Sequence, residues 1–280
     1  MKLGFNLLLW TPHVTEAHEP ILRALKKTGY DGVEIPMFEG TPDHYAKLGA
    51  LLDRIGLERT VVSVIQGKNP LSPDKASQAA ALDYAKWTVD CSAALGAPIL
   101  GGPMHSELGF FSGNPATAAE RKRALSFHKR AGDYAGKKGV TFALEALNRF
   151  ECYFLNTMQQ LNDYLDEVDH PHVQGMYDTF HSNIEEKDPV GAIKTIRPHM
   201  VHVHISENDR GTPGKGHVPW AETYRALKKA KYDGWLTIEA FGRSMPALAA
   251  ATRVWRDFAP SPEEVYKLGF RNMKQGWAKA

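Results

Sequence analysis

The sequence predicts an α/β protein, a single (β/α)8 TIM barrel with an extra C-terminal helix. Short apolar, β-branched runs alternate with longer amphipathic stretches about eight times, and this alternation is typical of right-handed βαβ units around a parallel sheet. Eight units in roughly 250 residues match the size of one barrel. No Pro/Ser-rich linker or change in composition divides the 280 residues, so we expect one domain over residues 1–280.

The individual elements follow from local patterns in the sequence. Strand candidates are short runs rich in apolar and β-branched residues: Leu3–Leu9, Gly32–Ile35, Arg59–Val64, Pro98–Gly101, Thr141–Glu145, Val173–Tyr177, Met200–His204 and Trp235–Glu239. Helix candidates carry apolar residues at helical spacing: Ile21–Thr28, Tyr45–Ile55, Ala76–Leu95, Thr117–Lys137, Met158–Val168 and Trp220–Ala230. A last helix is expected over Ser261–Gly276, because Pro262 and two glutamates resemble a helix start. We expect it to pack on the barrel exterior or on a neighbouring subunit.

The composition is typical of a soluble globular protein, with 43% hydrophobic and 24% charged residues. The formal charge of +2 comes from 34 basic and 32 acidic residues that are well mixed, so no basic stripe indicates a nucleic-acid partner. The N-terminal apolar run is too short to span a membrane and lacks a signal-peptide cleavage site. The two cysteines, Cys91 and Cys152, form no disulfide framework. We expect a cytoplasmic protein without nucleic-acid or membrane partners.

Four successive strand candidates end in a side chain that can bind a metal ion: Glu145, Asp178, His204 and Glu239. In a parallel barrel the strand C-termini meet at one mouth, where such folds keep their active sites. Side chains alternate along a strand. When Glu145, His204 and Glu239 face the barrel interior, the alternate positions that face the helices are all apolar. The sequence therefore predicts a single divalent-metal site. Its mixed oxygen and nitrogen ligands suit Mn²⁺, Mg²⁺ or Co²⁺ better than Zn²⁺. Of these we expect Mn²⁺, with Co²⁺ or Mg²⁺ as alternatives.

Each of these residues also has a purely structural interpretation. Asp178 precedes Thr-Phe-His and suits the N-cap of a helix. His204 could be a buried barrel histidine, which is the expected role of His202 one layer deeper. Glu34 ends the second strand candidate and could orient a metal ligand or hydrogen-bond to a barrel neighbour. His13, His44 and His105 are expected in loops at the mouth, where they could contact a substrate.

Polar clusters follow two of the proposed ligands, Asn148–Glu151 after Glu145 and Ser206–Gly211 after His204. A substrate with several hydroxyl groups needs such donors and acceptors around a metal. Ion pairs within the loops, Arg149 with Glu151 or Glu207 with Arg210, explain the same residues without a ligand.

These segments resemble the ketose 3-epimerases, typified by D-tagatose 3-epimerase and D-psicose (D-allulose) 3-epimerase, among the xylose isomerase-like barrels. The resemblance is carried by Leu-Glu145-Ala-Leu-Asn-Arg-Phe-Glu151, Asp178-Thr-Phe-His181, His204-Ile-Ser-Glu-Asn-Asp-Arg210-Gly and Ile-Glu239-Ala-Phe241. It is dense in the second half of the chain and limited to the barrel pattern in the first half. Two departures bear on the preferred sugar: Tyr153 stands where the family usually has tryptophan, and Leu7–Trp10 replaces a tyrosine-rich run.

The resemblance implies an isomerase that epimerises free ketoses at C3, with substrates of the D-tagatose, D-psicose/D-fructose or L-ribulose type. It implies that Glu145, Asp178, His204 and Glu239 bind the metal and that Glu145 and Glu239 also form the acid/base pair. Glu151, His181 and Arg210 are then expected to hold the sugar, with Phe241 as a wall of the pocket. The implied partner is a small monosaccharide, and we expect a homodimer or homotetramer.

The implied mechanism has one glutamate remove the C3 proton, a metal-stabilised enediolate form, and the other glutamate return a proton to the opposite face. The nearest alternative is an aldose–ketose isomerase of the hydroxypyruvate or rhamnose isomerase type, which moves a proton between C1 and C2. A keto-sugar lyase or dehydratase on the same barrel is also open. An endonuclease-IV-like phosphodiesterase would need more histidine ligands and a basic groove. A barrel that only binds a sugar is the non-enzymatic alternative.

Overall fold

Eight parallel strands pair in chain order and close into a barrel in the computed structural model, which describes residues 1–280. The strands are β1 (Lys2–Asn6), β2 (Gly32–Pro36), β3 (Glu58–Val62), β4 (Ile99–Gly102), β5 (Thr141–Leu144), β6 (Val173–Asp178), β7 (Met200–Ile205) and β8 (Trp235–Ile238). The predicted TIM barrel is therefore confirmed. Glu145 and Glu239 lie one residue beyond the strands that were predicted to end at them.

The first strand is shorter than predicted. Residues Leu7–Leu9 form a 3-10 helix and not the end of a strand, and Asn6 is its N-cap. The Asn6 side chain accepts a hydrogen bond from the backbone N–H of Leu8 over 2.9 Å. A run of three leucines is compatible with either state, because periodicity does not distinguish strand from helix over so short a stretch.

Ten α-helices surround the barrel. They are α1 (Glu19–Thr28), α2 (Pro42–Ile55), α3 (Lys75–Leu95), α4 (Ala118–Lys137), α5 (Met158–Val168), α6 (Thr179–Glu185), α7 (Pro189–Ile196), α8 (Trp220–Lys229), α9 (Pro246–Ala251) and α10 (Pro262–Lys279). The predicted helices are all present, and the short helices α6, α7 and α9 were not predicted. The start of α7 did carry a signal, since Asp188 caps it and Pro189 is its first residue.

The C-terminal helix α10 packs against α1 and α8 of its own chain, on the outside of the barrel. The Tyr30 hydroxyl donates to the backbone carbonyl of Tyr266 over 2.7 Å, which ties the end of α1 to α10. None of the helices is long and apolar enough to cross a lipid bilayer.

Several polar side chains are buried in the interior of the barrel near its mouth. Asn6, Glu34, Thr60, His202 and His204 are all at most 1% exposed there. Buried polar groups require hydrogen-bond partners. The apolar core lies mainly between the strands and the helices, so the polar interior is available for a functional site.

The pairing of β6 with β7 contains one irregularity. Gly175 lies opposite Met200, but the next residue, Met176, lies opposite His202, so Val201 has no partner in β6. The shift places Asp178 opposite His204. Two of the predicted ligands therefore lie side by side on neighbouring strands and face the barrel interior.

Candidate active site and metal centre

The four predicted ligands converge at the mouth of the barrel. From His204 Nδ1 the distances are 3.4 Å to Asp178 Oδ2, 3.6 Å to Glu239 Oε1 and 3.9 Å to Glu145 Oε1. One ligand atom from each residue lies within 4.8 Å of all the others. Ligand bonds of about 2.1 Å to a hard divalent cation place neighbouring donors roughly 3 to 4 Å apart. The spacing of the four side chains fits such an ion.

The hydrogen bonding of these side chains also fits an ion. Glu145 Oε1, Asp178 Oδ2 and His204 Nδ1 are buried and have no hydrogen-bond partner. Buried polar atoms without a partner are costly and rare. Because these three point at one another, a single cation among them satisfies all three at once.

Asp178 has two roles, one for each carboxylate oxygen. Its Oδ1 accepts hydrogen bonds from the backbone N–H groups of Phe180, over 2.6 Å, and His181, over 3.1 Å, as the N-cap of α6. This cap fixes the carboxylate so that Oδ2 faces His204. The helix-cap and metal-ligand interpretations of Asp178 are thus compatible.

His204 is oriented from below by Glu34. Its Nε2 lies 2.7 Å from Glu34 Oε2, which leaves Nδ1 directed at the cluster. Glu34 Oε1 accepts from the Thr60 hydroxyl over 3.0 Å and lies 2.8 Å from His202 Nε2. Although burial opposes ionisation, His204 and His202 hold the pKa of Glu34 far below its ordinary value. An ionised Glu34 keeps a proton on Nε2, and a carboxylate behind a histidine is a common support for metal ligation.

The electrostatics of the cluster show a shortage of positive charge. Burial raises the pKa of Glu145 well above its ordinary value and that of Glu239 to about 7, although His204 opposes both shifts. Burial also works to raise the pKa of Asp178, but His204 outweighs it and the net shift is downward. Three carboxylates crowded beside one imidazole disfavour each other's ionised forms. A divalent cation would supply the missing charge.

Three further predicted residues, Glu151, His181 and Arg210, form a second cluster beside the first. Arg210 Nη1 donates to Glu151 Oε1 over 3.2 Å, and Nη2 lies 3.1 Å from His181 Nε2. Burial works to raise the pKa of Glu151, but Arg210 outweighs it and lowers the pKa. The Arg210 guanidinium lies 4.0 Å from the ring centroid of Phe180 and 4.7 Å from that of Phe241. Its orientation is therefore fixed by two aromatic faces and one carboxylate.

The protonation of His181 follows from its neighbours. The backbone N–H of Asn148 donates to Nδ1 over 3.0 Å, so Nδ1 accepts and the proton of the neutral ring is on Nε2. Arg210 Nη2 and this Nε2–H are then two donors 3.1 Å apart that do not hydrogen-bond to each other, so both can donate to one acceptor placed beside them. Burial lowers the pKa of His181 to about 4, which keeps the ring neutral. Nε2 lies 3.6 Å from Glu145 Oε1. His181 thus presents an N–H group next to the metal-type cluster, where it can donate to a substrate oxygen.

The loop ion pairs that were considered as alternatives do not form. Arg149 pairs with Glu185, with Nε 3.0 Å from Oε1, and not with Glu151. The Glu207 carboxylate accepts from backbone and indole N–H groups of its own loop and makes no ion pair with Arg210.

The predicted loop histidines lie around the site in different ways. Burial lowers the pKa of His105 to about 4, and its Nε2 lies 2.8 Å from the carbonyl oxygen of Glu145, so it supports the backbone of a proposed ligand. The prediction was wrong for His44, which lies in the first turn of α2 and not in a loop. His13 and His44 stack with ring centroids 4.5 Å apart and form no hydrogen bond to either cluster. Tyr153 donates to Glu120 over 2.7 Å.

Two buried residues of the site were not predicted individually as site residues. Asn6 hydrogen-bonds to both Glu34 and Glu239, and Asn148 donates from Nδ2 to Glu151 over 3.0 Å. Asn148 stands in the polar segment that follows Glu145, which was a signal that could have identified it. Asn6 had none, because its contacts depend on the strands that flank β1.

Comparison with known proteins gives consistent matches. The family model described as xylose isomerase-like TIM barrel matches residues 22–275. The chain is 32% identical over 276 residues to a probable ketose 3-epimerase of Synechocystis sp., across 98% of this chain and 96% of that protein. It is 30% identical over 271 residues to a D-psicose 3-epimerase of Enterocloster bolteae, across 94% of this chain and 90% of that protein.

A solved structure is similar over the same extent. The crystal structure of a D-allulose 3-epimerase from Methylomonas sp. in complex with D-allulose matches with a TM-score of 0.92 and 28% identity, across 98% of this chain and 96% of that chain. These similarities extend over nearly the whole chain, including the first half, where the sequence motifs are sparse.

Proposed function

Because this chain belongs to the xylose isomerase-like TIM barrel family and, within it, to the ketose 3-epimerases, we propose that it epimerises free ketoses at C3 with a bound divalent metal. The observation that carries the proposal is the convergence of Glu145 and Glu239, from the ends of β5 and β8, on one buried cluster with Asp178 and His204. This cluster has the donor atoms, spacing and unsatisfied charge of a cation site, and Mn²⁺ is the metal we propose for it.

Glu145 and Glu239 are proposed as the acid/base pair. Glu145, Asp178, His204 and Glu239 would hold the divalent metal, which when bound would supply Lewis-acid polarisation of the carbonyl next to C3; without it the C3 proton is too weakly acidic for a carboxylate to remove. One glutamate takes the C3 proton, which leaves an enediolate, and the other delivers a proton to the opposite face. Because the two carboxylates come from strands three apart in the barrel, they approach C3 from different sides. The reaction is reversible, since each glutamate serves as acid or base.

The second cluster is proposed to hold the sugar. Arg210 and the Nε2–H of His181 offer hydrogen-bond donors to substrate oxygens, and Glu151 offers an acceptor to a hydroxyl. Phe241 is buried against Arg210 and forms part of the wall. Two of the relatives named above are a D-psicose 3-epimerase and a D-allulose 3-epimerase, and an L-ribulose 3-epimerase of Methylomonas sp. is 28% identical over 279 residues. We propose D-psicose/D-fructose, D-tagatose and L-ribulose as the substrates to compare.

The test is deuterium exchange. The Mn²⁺-loaded protein is incubated in D₂O with D-fructose, D-psicose, D-tagatose and L-ribulose separately, and the products are analysed by NMR. Deuterium at C3 together with the 3-epimer is the expected result, and the relative rates rank the sugars. Deuterium at C1 or C2 with aldose formation supports an aldose–ketose isomerase, and no exchange with any sugar contradicts the proposal. Protein treated with EDTA is the control. Light scattering on the same sample tests the expected homodimer or homotetramer.

A further inference from the structure

Asn6 lies between two strands that carry carboxylates of the site. In the barrel register Asn6 is opposite Glu34 of β2, and on the other side Phe5 is opposite Ile238, so the next pair along is Asn6 and Glu239. Asn6 is completely buried. The only side chain of β1 at this level of the mouth is therefore a neutral amide between two acids.

The orientation of the Asn6 amide is determined by the backbone. Its Oδ1 accepts from the N–H of Leu8 over 2.9 Å, and a backbone N–H can only donate. The oxygen must then be on the Leu8 side, and Nδ2 with its two hydrogens faces the carboxylates. The 3-10 turn of Leu7–Leu9 that replaces the expected end of β1 creates this arrangement.

Both hydrogens of Nδ2 have acceptors that belong to the site. Nδ2 lies 2.9 Å from Glu34 Oε2 and 3.3 Å from Glu239 Oε1. Glu34 Oε2 is the oxygen that lies 2.7 Å from His204 Nε2. Glu239 Oε1 is the oxygen that lies 3.6 Å from His204 Nδ1, on the metal side of that carboxylate. One amide thus contacts Glu239 directly and His204 through Glu34.

We propose that Asn6 is a positioning residue that sets the angle of the Glu239 carboxylate and, through Glu34, of the His204 imidazole. The Asn6 hydrogen bond favours the orientation in which Oε1 of Glu239 faces His204, and Oε2 is then left for proton transfer at C3. The assignment of proton transfer to Glu239 rests on the function proposed above. The positioning of two metal ligands rests only on the metal site in that proposal, which Mn²⁺ binding by the wild-type protein tests separately from epimerisation.

The residue type at this position is constrained by charge as well as by shape. A neutral donor can bridge two acids, whereas a third carboxylate would repel both in a buried site. The helix-cap function of Asn6 uses only Oδ1 and would be met equally well by Asp or Ser. The second function, donation from Nδ2, requires an amide of this length.

The test separates these two functions by substitution. Asn6→Asp retains the cap oxygen and the size of the side chain but removes the donor, and Asn6→Ser retains a cap but is too short to bridge. Thr60→Val is the matched control, because it removes one buried hydrogen bond to Glu34 and leaves Glu239 untouched. For each protein the Mn²⁺ dissociation constant is measured by calorimetry without substrate, the melting temperature is measured after EDTA treatment, and kcat and KM are measured at saturating Mn²⁺.

Loss of a group that supports metal ligands typically weakens metal binding or activity by about 10- to 100-fold. We expect Asn6→Asp and Asn6→Ser to weaken Mn²⁺ binding by that factor and to lower kcat about 10- to 100-fold, with KM within about twofold of wild type. Thr60→Val should weaken Mn²⁺ binding but retain most of kcat once the metal is saturating. If Asn6→Asp does not fold, Asn6→Ser provides the same comparison.

Two results overturn the proposal. In one, both Asn6 variants bind Mn²⁺ with wild-type affinity and keep a wild-type kcat. In the other, they lose only thermal stability, while the folded protein binds Mn²⁺ and turns over normally. If wild-type protein binds Mn²⁺ but epimerises none of the four ketoses, the proposed function fails. The ratio of Mn²⁺ dissociation constants then still decides whether Asn6 positions the ligands.

Discussion

The loop after β7 is held together by one buried carboxylate, that of Glu207. Oε1 accepts from the backbone N–H groups of Val218, over 3.0 Å, and Asn208, over 3.1 Å. Oε2 accepts from the backbone N–H of Gly214, over 2.7 Å, and the indole Nε1 of Trp220, over 2.9 Å. Within this loop the backbone N–H of Arg210 donates to the carbonyl of Glu207. Glu207 therefore links the fold of the loop to the position of Arg210.

We predict a large loss of stability for Glu207→Gln, although the two side chains have nearly the same shape. Whichever way the glutamine amide turns, its NH₂ group replaces an oxygen that accepts two N–H groups. Either Val218 and Asn208 or Gly214 and Trp220 then lose their acceptor, and of these four hydrogen bonds only that of Val218 is fully buried. Each loss therefore costs about 1–2 kcal/mol, the lower part of the range for buried donors. The expected total of about 2–4 kcal/mol is a substantial part of the roughly 5–15 kcal/mol that stabilises a typical domain.

The matched control is Glu222→Gln on the neighbouring helix α8. Glu222 is exposed and contacts Arg225 in an exposed pair, so the same change should cost about 0–1 kcal/mol. Urea unfolding, followed by circular dichroism, gives the free energy of unfolding of both variants. Hydrogen exchange at the amides of Gly214 and Val218 reports whether the loop opens before the barrel unfolds.

The reasoning is refuted if Glu207→Gln matches Glu222→Gln to within about 0.5 kcal/mol, the usual range of neutral surface substitutions, and the two loop amides exchange as slowly as in wild type. If the loop amides alone exchange faster, the carboxylate stabilises the loop and not the barrel. KM should then rise more than kcat falls, because Arg210 is displaced.

Further predictions concern the chemistry of the site. Glu239→Gln should lower C3 deuterium exchange by about 10²- to 10⁴-fold, measured by NMR, while circular dichroism shows a folded protein; retained exchange would remove Glu239 from proton transfer. Arg210→Lys should lower kcat/KM about 10- to 100-fold, mainly through KM, since lysine cannot stack between Phe180 and Phe241; steady-state kinetics measure it. Mn²⁺ at about 100 times its dissociation constant should stabilise the protein by about 2.7 kcal/mol over the EDTA-treated form, and equal melting temperatures would argue against a metal site. Burial lowers the pKa of His128 to about 3. Between pH 6.5 and about pH 3 the imidazole is therefore protonated in the unfolded chain but neutral in the folded protein, so the free energy of unfolding decreases as the pH is lowered through this range. Between pH 7 and pH 5 the free energy of unfolding, measured with urea, should therefore decrease by about 2 kcal/mol less for His128→Gln than for wild type. Equal decreases for the two proteins would contradict a neutral buried His128 ring.

The barrel and the convergence of the four proposed ligands could be predicted because both depend on patterns local to each strand. Alternation along a parallel strand determines which side chains face the barrel interior. The end of the strand determines where a side chain lies along the barrel axis, here at the mouth. Glu145, Asp178, His204 and Glu239 each satisfy both conditions within a few residues of sequence.

The supports of the site could be predicted only in part, because they depend on which strands are neighbours and in what register. Glu34 was expected either to orient a metal ligand or to hydrogen-bond to a barrel neighbour, but its pairing with His204 spans 170 residues and could not be deduced. Asn6 contacts Glu239 across the closure of the barrel between β1 and β8. Arg210 adopts a positive φ of 62°. Arginine rarely has this backbone conformation, so the sequence does not predict it.

The unpaired residue Val201 lies before the part of β7 that carries His204. If Val201 were removed, Met200 would directly precede His202, and the pairs of Met176 with His202 and of Asp178 with His204 would become part of a regular ladder. The extra residue therefore affects the chain that leads into β7 and not the facing of the proposed ligand. Designers who graft the four proposed ligands onto a regular barrel need the pairing of Asp178 with His204 but not the bulge.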